Sequence, residues 1–247
     1  MCCFSRPVKH VHNTSIFARV SERGNQILIY SMSLDTAEEV AMILPIPVRA
    51  GTTEDELNFI NLENYPDLFE DLSKMFPIPF TQSRLELKPT AASRAALKVQ
   101  KVGSFEGSFV PTQADFARLD ERFRIDPAVW EKLRQYKNFG FVVFKFRPGK
   151  HEIHPMAFAF PTATPKSIFF PTVHIHDGKV HRKEHFDHAL YCQTASAQVK
   201  MDWQESTQPI HKFNYLRSQK TLLMGQHLYQ QRVVGEFKNR DFVIAAV

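Results

Sequence analysis

The sequence predicts an α+β fold: a single domain over residues 1–247, dominated by mixed or antiparallel sheet, with a few short helices packed on it. Phe stands at 22 residues against 9 Gly, and Phe-rich, β-branched segments suit pleated, half-buried surfaces. From Phe141 onward apolar residues recur with period two, the spacing of a strand. Helical periodicity is confined to short stretches before that point.

Ser15 to Val20 and Gln26 to Met32 read as paired strands joined by a turn at Glu22-Arg-Gly-Asn25. Glu38 to Leu44 is a further apolar run, closed by Pro45-Ile-Pro47 and echoed at Met75-Phe-Pro-Ile-Pro-Phe80. Proline has no amide hydrogen for a sheet ladder, so both Pro-Ile-Pro segments are expected as rigid strand exits outside a sheet interior. A peptide-like docking surface is the alternative reading. Glu54 to Ile60 and Pro66 to Met75 are expected to be helical, the second with a stripe of Leu68, Leu72, Met75 and Phe76. Thr112 to Leu119 reads as a short helix, and Asp126-Pro127 supplies a cap and first turn for Pro127 to Tyr136. Strands follow at Phe141 to Phe146, Glu152 to Phe160 and Ile168 to His176, then at Gln226 to Gly235 and Asp241 to Ala246. The weakest seam is the polar, small-residue stretch Ala91 to Gly107.

A hydrophobic content of 43% and a charged content of 23% are those of an ordinary soluble protein. The apolar run Val40 to Val48 is broken by two prolines and is far too short to span a bilayer. The N-terminus lacks an apolar signal core, and the three cysteines form no disulfide framework, so the expectation is a cytoplasmic protein without a membrane span. The net charge of +5 leaves acidic partners open. Phe144-Lys-Phe-Arg147 interleaves aromatic and basic residues as single-strand binders do, yet Lys145 and Arg147 share one strand face opposite the two Phe. That is any half-buried strand, so no nucleic-acid partner is expected and the partners stay unassigned.

The chemistry-bearing residues are histidines. Of 11 in the chain, His151, His154, His174, His176, His181, His185 and His188 crowd into one stretch. Asp177-Gly178 between alternating runs is a hairpin signal that sets His174 opposite His181, with His176 on the same face. Ile175 and Val180 then face the core. Opposed Cβ atoms lie about 4.5–5.5 Å apart, within reach of imidazoles sharing one ion. His174, His176 and His181 thus form a candidate site for Zn²⁺ or another divalent transition metal, which His185 or His188 could complete. A helix after His181 would instead align His181, His185 and His188 on one stripe. Glu184 and Asp187 are candidates to orient the imidazoles. Lys179, Arg182 and Lys183 favour the alternative of a solvated polar face, and a pH-responsive surface is a third option. Cupins also use a His-x-His triplet. This chain departs from their motif, with Ile168 where a cupin carries Gly and Pro148-Gly149-Lys150-His151 before the triplet rather than after it.

Cys2 becomes terminal once Met1 is removed, and a terminal Cys can act as nucleophile with its own amine as base. Cys2 or Cys3, with His10 and His12 at strand spacing, could also join the metal cluster. The paired cysteines, Ile16-Phe-Ala-Arg19, Tyr30-Ser-Met32 and Ala41-Met-Ile-Leu-Pro-Ile-Pro47 together resemble a bacterial protein family of unknown function with an early Cys and a strand ending in Leu-Pro-x-Pro. That resemblance covers about the first third of the chain and implies no activity or cofactor. The leading expectation is therefore a metal-binding protein, with a metal-dependent hydrolase as its catalytic form. An N-terminal-Cys hydrolase and a non-catalytic interaction or structural protein are the alternatives.

Overall fold

The computed structural model describes residues 3–77, 100–102 and 105–247. Its strands, in chain order, are β1 (Cys3–Phe4), β2 (His10–Val20), β3 (Asn25–Thr36), β4 (Val40–Ile46), β5 (Asn58–Asn61), β6 (Gln100–Val102), β7 (Phe105–Val110) and β8 (Gly140–Phe146). They continue as β9 (Gly149–Glu152), β10 (Met156–Pro161), β11 (Ser167–Phe170), β12 (Lys183–Cys192), β13 (Gln204–Glu205), β14 (Tyr229–Lys238) and β15 (Phe242–Ala245). The α-helices are one to two turns long: α1 (Leu68–Ser73), α2 (Pro127–Lys132), α3 (Ala197–Asp202) and α4 (Lys212–Arg217).

Two large sheets organise the molecule. One has five strands in the order β1-β4-β8-β7-β6; the other has eight, along β13-β14-β12-β2-β3-β10-β5 with β9 paired to β3. Neighbours are antiparallel except β12 and β2, which run parallel, so the larger sheet is mixed. The inner faces of the two sheets build the main core. Met42 and Leu44 of β4 and Val142 and Phe144 of β8 meet Ile16, Leu28, Tyr30, Phe158 and Phe186 from the other sheet. Each sheet is covered on its outer face as well. Ala41, Ile43, Phe141 and Val143 pack beneath Phe116, Phe123 and Val129 from the segment that carries α2. Phe17, Ile29, Ala157 and Tyr191 pack beneath Leu68 and Leu72 of α1, with Ile210 and Leu228. Covering both faces explains why β4 reads as a continuous apolar run rather than an alternating one. The sheet-dominated α+β architecture is the one the sequence predicts.

Individual elements follow their local chemistry. Asp126 accepts the Ala128 amide at 2.8 Å, and Pro127 opens α2 at a position where a missing N–H costs nothing. The helix expected to reach Tyr136 stops at Lys132 and resumes as a 3-10 turn at Arg134–Tyr136. Thr112 to Leu119 becomes a 3-10 segment over Gln113–Arg118. The helix expected over Pro66 to Met75 is confined to α1, and the expected stripe of Leu68 and Leu72 within it and Met75 and Phe76 beyond its end is buried.

Two expectations are corrected. Glu54 to Ile60 is not a helix. A 3-10 turn at Glu54–Glu56 gives way to β5, whose pairing with β10 outweighs the helical spacing. Pro45 does not leave the sheet but pairs with Phe141 inside β4. The Ala41 amide points toward β1, donating to Ser5 Oγ at 3.0 Å, and with period two Pro45 points the same way. There β1 pairs only with Met42 and Ile43, so no ladder bond is lost at Pro45. The second Pro-Ile-Pro segment and most of the seam at 91–107 lie outside the described residues. Among the described residues no helix is long and apolar enough to cross a membrane.

A buried histidine stack as the candidate functional site

In β12 Phe186, His188, Leu190 and Cys192 are buried on one face, with their side chains pointing into the space between the two sheets. His188 therefore occupies a core position at the rim of the sandwich. The segment between β11 and β12 crosses this rim and brings two more histidines to it. His174 stacks on His188 with ring centroids 5.2 Å apart and 15° between planes, and on His176 at 5.2 Å and 17°. Phe186 lies 4.2 Å from the His174 ring, and Phe4 of β1 closes the far side 5.7 Å from His176. His174 and His188 are each 1% exposed, so the centre of the stack is shielded from solvent.

Backbone anchors hold the segment in place. Asp241 Oδ1 accepts the amides of Thr172 at 2.8 Å and Val173 at 3.1 Å, while Tyr136 Oη donates to its Oδ2 at 2.5 Å. Asn239 accepts the His174 amide at 2.7 Å and donates to the carbonyls of His174 at 2.8 Å and His181 at 3.1 Å. On the other side Ile175 bridges Cys3 and packs in the outer core beneath the α2 segment, joined by Val180. The expected division of faces, Ile175 and Val180 to one side and His174 and His176 to the other, is the one observed.

The expected hairpin is not. Gly178 takes the positive φ of 75° that the turn requires, but the strand it should follow ends at Phe170, and β12 begins only at Lys183. The two limbs are joined through Asn239 instead of to each other. His181 consequently turns outward, where its Nε2 meets Asp177 Oδ2 at 3.0 Å on an exposed surface. His185 is exposed on the opposite face of β12 from His188, and no helix follows His181, so these three share no stripe. Of the five histidines singled out by sequence, the structure gathers His174, His176 and His188 and leaves His181 and His185 outside. His10 and His12 are exposed, and Cys3 is buried in the outer core; Cys2 lies outside the described residues. His151 bonds the Arg147 carbonyl at 2.7 Å, and His154 stacks on Phe105 at 4.5 Å.

Burial dominates the electrostatics. It holds His174 and His188 far below the usual imidazole range and His176 at about 4, so all three rings are neutral at pH 7. Burial also raises the Asp187 carboxyl. Asp187 Oδ2 accepts the Asn13 amide at 2.7 Å, where β2 breaks register and Asn13 takes a φ of 56°. Its Oδ1 stands 3.6 Å from His188 Nδ1, the ring atom that accepts Asp187's own amide at 3.2 Å. His174 Nδ1 and Nε2, His176 Nε2, Asp187 Oδ1 and Thr14 Oγ1 are all buried without a hydrogen-bond partner. Among the described residues no three His, Cys, Asp or Glu side chains stand in ligand geometry.

A double-sheet sandwich with both outer faces covered and a histidine stack at its rim is thus the class of molecule these residues define. No family model matches the chain. Its architecture is similar to that of baculovirus P35: the correspondence covers 100% of both chains at 13% identity, with a TM-score of 0.51. Two structures of mutated baculovirus P35 after caspase cleavage also match. One has 11% identity, a TM-score of 0.47 and coverage of 98% of this chain and 100% of the other. The second has 10% identity, a TM-score of 0.48 and coverage of 95% and 99%.

Proposed function

We propose that this chain is a non-catalytic interaction protein built on the P35 architecture. The supporting observation is the end-to-end correspondence with P35, which spans the full length of both molecules. The groups whose acidity burial alters most fit that reading, because they lie within cores rather than in an open cleft. Burial pushes the Cys192 thiol up, and its sulfur packs between the sheets where no substrate reaches it. Tyr136 is likewise shifted upward by burial and is committed to Asp241. At the surface, Phe213 and Leu216 lie one turn apart on α4 at 62% and 53% exposure, the kind of apolar anchor that interface centres bury.

A mutated baculovirus P35 was crystallised after caspase cleavage, and a purified caspase is the partner we propose to assay for this chain. The expected outcome is competition with a peptide substrate at near-equimolar chain, accompanied by one discrete cut in the chain. No competition and no cut at large molar excess would reject engagement of that protease class.

A further inference from the structure

We propose that the open edge of β14 is a dimer interface, at which Arg232 to Glu236 pairs antiparallel with the same segment of a second copy of this chain. This interface is independent of the caspase reading above.

β14 pairs with β12 along its whole length, but on its other side it meets only the two residues of β13. The Ser206 amide donates to the Leu228 carbonyl at 2.8 Å on the β13 side, and the Asn239 amide donates to the Arg182 carbonyl at 3.0 Å on the β12 side. With period two, Arg232, Val234 and Glu236 therefore turn their amides and carbonyls toward the β13 side. The pairing with β13 ends at Gln230, so from Arg232 onward no described strand takes these groups. Such an edge is a template for another strand. Gly235 takes a φ of 115°, yet the ladder with β12 runs through it without a register shift, so no bulge breaks the edge.

The side chains select the occupant. Val234 is 56% exposed on the outer face of β14, with Arg232 and Glu236, both exposed, two residues to either side. When two copies meet about a two-fold axis at Val234, the valines oppose each other and Arg232 of each copy faces Glu236 of the other. An axis on Arg232 or Glu236 would set like charges face to face, and an axis on Gly235 would set Arg232 against Lys238. An axis on Val233 would send Glu236 to Gln230, where β13 already holds the edge. Charged residues guard many edge strands, but a guard of one sign would repel a second copy in every register. Here one register converts the charges into two cross-strand ion pairs. Lys183 takes Oε2 of Glu236 at 3.1 Å on an exposed surface, which leaves Oε1 for Arg232 of the second copy.

Sedimentation velocity of the full chain over a concentration series is expected to show a reversible monomer–dimer equilibrium. Arg232→Glu and Glu236→Arg each place like charges opposite one another in both halves of the ladder, and each should weaken the dimer by about tenfold or more. An equimolar mixture of these two variants restores opposite signs at both pairs. The dimer should then return as a heterodimer of near wild-type strength, a recovery that also shows both variants to be folded. Val234→Lys adds a cation from each copy at the axis and should weaken the dimer similarly. A wild type that stays monomeric up to its solubility limit overturns the proposal. So does a dimer that the charge reversals leave intact, or one that mixing fails to restore while each variant keeps the wild-type circular dichroism. Val234→Lys leaves both native charges in place, so a dimer that it does not weaken overturns the proposal whether or not the reversals fold.

Discussion

At the residue scale the histidine stack ties stability to pH. His174, His176 and His188 are held neutral by burial, whereas in the unfolded chain each titrates near 6.5. Their folded pKa values are depressed, so unfolding takes up protons as soon as the pH drops below 6.5. The stability they contribute is fully present above that value and is lost as the pH falls toward about 4, where His176 begins to charge in the folded state. Three such groups give a slope of up to about 4 kcal/mol per pH unit. Asp187 and Asp241 are both shifted upward by burial and act in the opposite sense, binding protons in the folded state first. Their proton uptake offsets part of the histidine slope. Urea unfolding between pH 7.5 and 4.5 measures the slope, and a flat profile there would contradict the buried neutral stack. Tyr136 supports the same region from below. Tyr136→Phe leaves Asp241 Oδ2 without its donor in a part-buried setting and should cost about 1–2 kcal/mol, read as a lower denaturation midpoint.

At the element scale, close packing between strands and rings limits what the backbone accepts. A Cβ built on Gly140 at the start of β8 would sit 2.6 Å from Phe109 Cε2, and Phe109 is itself buried in the inter-sheet core. Gly140→Ala therefore forces a packed ring to move and is expected to destabilise by about 1–3 kcal/mol by thermal melting. That constraint was not visible in the sequence. Much else was legible locally. The β2–β3 turn, the Asp126 cap, the α1 stripe and the division of Ile175 from His174 all depend on residues within a few positions of each other. Long-range partners overrode local cues elsewhere. β10 captured Asn58 to Asn61 as a strand, and Asn239, far along the chain, holds apart the limbs that Asp177-Gly178 was expected to pair directly. The sequence names His188 only as an addition to a hairpin site, whereas the alternation Phe186, His188, Leu190, Cys192 places it on the inward face of β12.

At the scale of the whole molecule, the central question is whether the layers fold as one unit. Each sheet contributes one face to the shared core and the other to its own cover, so neither sheet can lose its inner face without exposing the other's. Burial of apolar surface is the main favourable term in folding, and a core divided between two sheets couples them strongly. The chain carries two tryptophans, and they report from different layers. Trp203 packs against Phe170 in the inter-sheet core, with ring centroids 5.8 Å apart. Trp130 of α2 packs on the outer face of the smaller sheet, 4.9 Å from Phe141. Single-tryptophan variants, Trp130→Phe and Trp203→Phe, thus place one fluorophore in each layer. If the sheets and the outer cover unfold together, denaturation followed by fluorescence in each variant should superimpose, after normalisation, on its own far-ultraviolet circular dichroism curve. A Trp203→Phe curve in which Trp130 fluorescence changes well before the strand signal would show that the α2 cover detaches independently. The five-stranded sheet would then have an outer face that can open while the histidine stack at the rim stays closed.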